Sequence, residues 1–212
     1  MDEKNLKQAL AKLQEEKKNF VQSYDVLVAL KEINLKKPEE QTEFFAQLPH
    51  FPNRKQKVCA LVDSHMRDDA KKVFDTVISL EEFDKYDKKK MRTIAGQHDW
   101  FVGQANIMPK IAASWGRVLG PRGKMPNPKA GCIVPPKAPL QPLYDRLQNT
   151  VKVTAKKQPN IQVMVGKQDM SEEQLTENIQ YIYDQIVHHL PKEKDNIKHT
   201  ALKLTMSKPI KL

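Results

Sequence analysis

Two apolar stretches of this chain follow different rules, and the change between them limits what it can fold into. In Phe20 to Leu30, "FVQSYDVLVAL", Tyr24, Val26, Val28 and Leu30 alternate with Ser23, Asp25, Leu27 and Ala29. That is the pattern of a long strand with one strongly apolar face. In Val58-Cys59-Ala60-Leu61-Val62 every residue is apolar, which predicts a strand buried on both faces, as in a parallel sheet. The segment between them, "HFPNRKQK" (50–57), is polar, basic and interrupted by proline, and marks a boundary.

The flanking segments fit this division. Leu6, Ala9, Leu10 and Leu13 recur at helical spacing within 3–17, predicting a short amphipathic helix. A Lys/Pro turn at "KKPEE" (36–40) leads to a second strand ending near Leu48-Pro49. After the all-apolar strand, the pattern predicts a strand (76–79), a Lys/Glu-rich helix (80–96), a strand (99–103) and a helix (105–115), which is a small three-layer α/β domain. A helix near 139–149 and a strand "TVKVTAK" (150–156) follow, and Lys156-Lys157-Gln158-Pro159 forms a second polar junction. Beyond it "NIQVMVG" alternates again. Ser171 with Gln174 at capping-box spacing opens a helix whose apolar face is Leu175, Ile179, Ile182, Ile186 and Leu190, and Pro191 stops it. In a last strand, "TALKLTM" (200–206), Leu202, Leu204 and Met206 share one face. Each terminal segment supplies half a core. Together they predict a discontinuous α+β domain over 1–54 and 158–212, with an α/β domain inserted at 55–157 through twin linkers that allow a hinge.

The charge balance narrows the function. Thirty-six Lys and Arg against 26 Asp and Glu leave a net charge of +10, which favours a polyanionic partner. No apolar run approaches the roughly 18 residues that span a bilayer, and the first residues lack the apolar core of a secretory signal, so a cytosolic protein without a membrane partner is expected. Cys59 and Cys132 stand apart with no ligand at metal spacing, and indicate neither a zinc site nor a disulfide framework. The histidines at 50, 65, 98, 188, 189 and 199 form no metal or triad pattern, and the Glu172-Glu173 pair suits a first helical turn. No catalytic residue, cofactor or metal is expected. The basic run "DKYDKKKMR" (84–92) reads either as an RNA-facing or as a solvated surface.

One loop invites an enzyme reading. "GPRGKMPNPKAG" (120–131) packs three glycines, three prolines and three cations into twelve residues. A phosphate-binding P-loop needs Gly, four residues, then Gly-Lys-Ser/Thr. Here Met125 follows Gly123-Lys124, and Val118 stands where the first glycine should be. Nor does Gly116-Gly120-Gly123 match a dinucleotide fingerprint. What remains is a stiff, cationic loop presenting Arg122, Lys124 and Lys129, either a rigid connection or an RNA contact.

The stretch "GRVLGPRGKMPNPKAG" (116–131) also carries a resemblance, together with "NFVQSYDVLVALKEI" (19–33), "LPH" (48–50), "IQVMVGKQDMSEEQLTENI" (161–179) and "LTMSKP" (204–209). In these segments, in order along nearly the whole chain, the sequence resembles the family of ribosomal protein one of the large subunit, the lateral-stalk protein, in its archaeal form. The resemblance implies an RNA-binding domain built from both chain ends and an inserted Rossmann-like domain on a double hinge. It also implies a cytoplasmic, ribosome-bound protein, monomeric off the ribosome and without enzymatic activity. Its implied partners are stalk ribosomal RNA, exit-site tRNA during release of the deacylated molecule, and the leader of its own mRNA, whose translation it would repress.

The resemblance further implies which residues meet RNA. They are Asn19, Phe20, Gln22, Ser23 and Asp25, then Gly166 and Lys167, then Thr205, Met206 and Ser207. Lys167, Lys203 and Lys208 would add a salt-sensitive phosphate term. Secondary contacts would come from Arg122, Lys124 and Lys129. Two positions depart from the family pattern: Ser207 replaces the glycine of a Thr-Met-Gly motif, and Asp25 replaces a longer Glu. A dedicated mRNA-binding repressor and a phosphate-ligand enzyme using the 120–131 loop are the rival readings.

Overall fold

The computed structural model describes residues 3–212 except 17, 38, 39, 137 and 157. The expected turn at 36–40 therefore lies partly outside the described residues, as does Lys157 of the second junction. Contacts gather the chain into two compact units, one of Met1–Arg54 and Asn149–Leu212, the other of Lys55–Gln148.

In the first unit, helix α1 (Glu3–Gln14) precedes strands β1 (Ser23–Leu30) and β2 (Thr42–Gln47). The alternation of β1 is kept residue by residue, with Tyr24, Val26, Val28 and Leu30 buried and the residues between them half-buried. The strand begins at Ser23, three residues later than the apolar run suggests, because Phe20 and Val21 lie exposed outside the sheet. Residues of the C-terminal segment complete the sheet. Strand β8 (Asn160–Lys167) and strand β9 (Ile197–Leu204) flank β1 on its two sides, both antiparallel, and a short edge strand β10 (Ile210–Lys211) pairs with β9. Helix α6 (Glu172–His189) brings Leu175, Ile179, Ile182 and Ile186 onto the sheet, where they meet Leu6, Leu10 and Leu13 of α1. Ser171 caps α6 by accepting the Gln174 N–H at 3.3 Å, which is the serine half of the predicted capping box.

The second unit is a parallel sheet in the order β4-β3-β5-β6, formed by β3 (Val58–Val62), β4 (Thr76–Ser79), β5 (Trp100–Gln104) and β6 (Ile133–Val134). All five residues of β3 are buried. Cys59 and Leu61 pack with α3 (Lys88–Gln97) and α4 (Met108–Leu119) around Trp115, and the pleat directs Val58, Ala60 and Val62 the other way. Helix α2 (Arg67–Val73), which periodicity did not reveal, lies against β3 and β4, and Phe74 beyond it meets Tyr144 of α5 (Gln141–Asn149) edge-on at 6.0 Å.

Two sequence expectations change. The helix expected over 80–96 is a 3-10 turn (Leu80–Lys85), opened by the Ser79 N–H donating to Glu82 Oε2 (3.4 Å) and ended where Tyr86 turns extended, followed by α3. The strand expected at 150–156 within the inserted segment is β7 (Thr150–Ala155), and it pairs antiparallel with β2 of the first unit, Phe44 opposite Val153. Val153 and Ala155 bury themselves in the first core, so the compact inserted unit ends at Gln148.

Candidate RNA-binding surface

Register brings three distant segments to one end of the four-stranded sheet. Ser23 stands opposite Lys167, Tyr24 opposite both Gly166 and Leu204, and Asp25 opposite Lys203. Between Tyr24 and Asp25 the β1–β8 pairing slips, and Val165 is the extra residue. Bulges of this kind bend the strand that carries them, here just before β8 turns into α6.

Past the sheet end the chain is open. Phe20 is 52% exposed, Val21 53% and Met206 66%, so three of the four large exposed apolar side chains among the described residues lie here. The backbone groups of Asn19, Phe20 and Val21 have no hydrogen-bond partner among the described residues. Together with Lys18 and Gln168 these residues line a shallow cavity of about 390 Å3. Thr205 is exposed and closes onto β1: its N–H donates to Ser23 O (3.1 Å) and its Oγ1 accepts the Ser23 N–H (3.2 Å). The Ser23 hydroxyl has no partner among the described residues. An aromatic face, a free hydroxyl, open backbone groups and the amines of Lys167, Lys203 and the exposed Lys208 are the groups that meet bases, riboses and phosphates of folded RNA.

Three of the residues assigned to RNA make contacts within the protein. Gln22 is 1% exposed and every polar group it has is used inside the protein. Its N–H donates to Gln168 Oε1 (3.1 Å) and its O accepts the Gln168 N–H (3.0 Å). Its Nε2 donates to Glu16 O (3.2 Å) and its Oε1 accepts the Met206 N–H (3.0 Å). Gln22 is therefore the clamp that holds the three segments in place, and the surface groups are its neighbours. Gly166 is buried, and a Cβ there would lie 2.5 Å from Leu175 Cδ2 and 2.6 Å from Met170 Sδ; the missing side chain makes room for α6. Lys124 of the second unit donates from Nζ to Ala95 O (2.9 Å) and His98 O (2.6 Å), and so caps the C-terminal end of α3. Arg122 keeps an exposed side chain while donating to Arg92 O (3.0 Å), and Lys129 is exposed. The loop itself is pinned by Gly123 and Gly131, both at positive φ, and a Cβ at Gly131 would collide with the Arg146 guanidinium.

The two departures from the family pattern settle locally. Ser207 adopts a negative φ, so no glycine conformation is required, and its Oγ accepts the Leu204 N–H at 2.8 Å to close the turn. Burial raises the pKa of Asp25, opposed by the hydrogen bond from Gln162 Nε2 (3.3 Å) and by Lys203 and Arg54.

Sequence reasoning omitted Val21 and Gln168. The two glutamines of the clamp lie 146 residues apart, and a single sequence holds no signal that links them. Burial pushes Cys59 up to about 12 and Cys132 to about 11, which leaves no nucleophilic thiolate. Among the described residues no cluster of His, Cys, Asp and Glu is disposed to hold a metal, and no helix is long and apolar enough to cross a membrane.

Comparison with known proteins gives one consistent answer. The model of the ribosomal protein L1p/L10e family matches residues 10–208. The chain is similar to the large ribosomal subunit protein uL1 of Methanocaldococcus jannaschii, with 36% identity covering 100% of this chain and 96% of the relative. It is similar also to that of Methanobrevibacter smithii, 38% identical over 92% of each chain, and to that of Thermococcus kodakarensis, 33% identical over 95% of this chain and 93% of the relative.

Proposed function

The chain belongs to the ribosomal protein L1p/L10e family, and from that premise we propose that it binds stalk ribosomal RNA through the rim where β1, β8 and β9 end. It is a structural constituent of the large ribosomal subunit and not an enzyme. The observation that supports the rim is the clamp of Gln22: it gathers residues 19–21, 167–168 and 205–207 into one exposed surface. Phe20 offers a stacking face, Ser23 and Thr205 offer hydroxyls, and Lys167, Lys203 and Lys208 offer charge. At this position the protein takes part in release of deacylated tRNA from the exit site. A segment of its own mRNA leader that copies the stalk fold competes for the same rim and represses translation. Arg122 and Lys129 on the second unit add a weaker contact.

Titration of the purified protein with a stalk RNA fragment, its own leader and ATP over a salt series tests this reading. The stalk fragment is expected to bind with a Kd on the order of 10 nM, with a log–log salt slope of about −2 to −3 for three lysine–phosphate contacts. Tighter binding to the leader supports a dedicated repressor instead, and saturable ATP binding without RNA affinity sinks both RNA readings. Thr205→Val is expected to weaken stalk binding about tenfold or more and Arg122→Ala less than about threefold; the reverse order moves the main site to the second unit.

A further inference from the structure

The second unit carries a cavity of about 760 Å3 that the proposed RNA rim does not use. Its place follows from the topology. The chain runs from β3 outward to β4 and then returns to add β5 on the other side of β3, so the strand order reverses between β3 and β5. In open parallel sheets, ligands bind in the crevice outside the carboxyl ends of the strands at such a switch point. Asp63 directly follows β3, Gln104 is the last residue of β5, and both line the cavity.

The polar end of the cavity is built and only half used. Gln104 is 4% exposed. Its Oε1 accepts the Asp63 N–H at 2.9 Å. Only an oxygen can accept that proton, so the amide orientation is fixed, and its Nε2 is a donor with no partner among the described residues. The Asp63 carboxylate accepts the Ser64 N–H on Oδ1 at 2.8 Å and keeps Oδ2 unused. An unspent amide donor therefore stands beside an unspent carboxylate acceptor. Met66, Val73 and Leu140 supply apolar walls. The volume lies within the roughly 300–1,000 Å3 usual for small-ligand sites.

We propose that this cavity is a nucleobase-binding site with a preference for guanine, held by Gln104 Nε2 and the Asp63 carboxylate. Guanine offers an acceptor, O6, beside two adjacent donors, N1–H and N2–H; the amide meets the first, the unused Asp63 Oδ2 meets one donor, and Oδ1, which also holds the Ser64 N–H, meets the other with its second lone pair. Adenine, cytosine and uracil offer the carboxylate a single ring or amino donor on that edge and leave one oxygen unmet. The walls take the planar ring between apolar side chains, as in other base pockets. The segment Asp63 to Met66 contains no glycine and so forms no glycine-rich phosphate cradle. The ligand is thus a base or nucleoside, either free or displayed by an unpaired RNA strand.

The test is 15N nuclear magnetic resonance of the full chain, following the Gln104 side-chain amide during titration with guanosine, inosine, adenosine and uridine, and with the trinucleotide UGU. Guanosine is expected to move the Gln104 amide saturably and to bind about tenfold more tightly than inosine, which lacks the 2-amino group, and than the other two, the discrimination typical of a bidentate contact. Asp63→Asn, which keeps the backbone bond to Gln104, is expected to remove that preference. Tighter binding of UGU than of guanosine assigns the site to RNA, and the reverse assigns it to a free nucleoside; both support the pocket. A Gln104 amide unmoved by guanosine, or moved equally by all four nucleosides, overturns it. Stalk-RNA binding through the rim is read separately by Thr205→Val, so failure of one reading leaves the other standing.

Discussion

The two units solve the problem of a mixed fold in opposite ways. In the first, β1 buries every second residue and leaves the others half-buried, so one sheet face carries the core and the sheet end keeps its polar groups in reach of a partner. In the second, β3 is buried throughout, both faces are taken by helices, and only the strand ends remain to meet a ligand. Alternation leaves room for a broad surface, and continuous burial confines binding to a crevice. The rim of the first unit and the cavity of the second are the two results.

This contrast can be broken most directly in the strands themselves. Ala60→Asp puts a carboxylate at a site of 0% exposure and is expected to cost about 4 kcal/mol or more in urea unfolding of the second unit. Leu27→Asp, on the half-buried side of β1, is expected to cost about 1 kcal/mol. Equal costs would show that the two strands do not differ as their burial patterns indicate. A smaller effect separates structural from binding cations in the 120–131 loop. Lys124→Met removes two donors from the carbonyls that end α3 and is expected to lower stability by about 1–2 kcal/mol with no change in the salt slope for stalk RNA. Lys129→Ala is expected to stay within about 0.5 kcal/mol of the parent.

Much of this was legible beforehand, for physical reasons. Strand β3 and strand β4 were fixed to the residue because their apolar runs are bounded by polar or turn residues. The α6 boundaries followed from Ser171 and Pro191. Partner choice was not legible: nothing in "TVKVTAK" says that β7 pairs with β2, since register depends on which core has room for Val153 and Ala155. At the sheet end, the residues that the resemblance assigns to RNA come from segments the fold does bring together, but the sequence does not show which of them are buried. Gln22 and Gly166 are contacts only by resemblance, and Lys124 by its place in a cationic loop; a one-dimensional string does not show burial or hydrogen-bond partners. Burial and satisfied hydrogen bonds make them supports.

Another small effect concerns Asp25. Burial raises its pKa, so between the ordinary carboxylate range and the raised value the folded protein holds more protons than the unfolded chain. Stability then falls as pH rises through that window. Asp25→Asn is expected to be as stable as the parent or more so at pH 7, by under about 1 kcal/mol after allowing for solvent screening, with the difference gone below the ordinary carboxylate range. A loss at pH 7 would mean that attraction to Lys203 and Arg54 outweighs burial at this sheet end.

The bond between Ser23 and Thr205 joins residues 182 positions apart, and this has a consequence during synthesis. At roughly 5–20 residues per second, β1 waits about 10–40 s for β9, while the second unit, whose strands all lie between, has every residue it needs much earlier. A nascent chain therefore holds all the residues of the second unit while the four-stranded sheet of the first still lacks β9. Chains released early lack β9 and with it the Ser23–Thr205 closure of this sheet end.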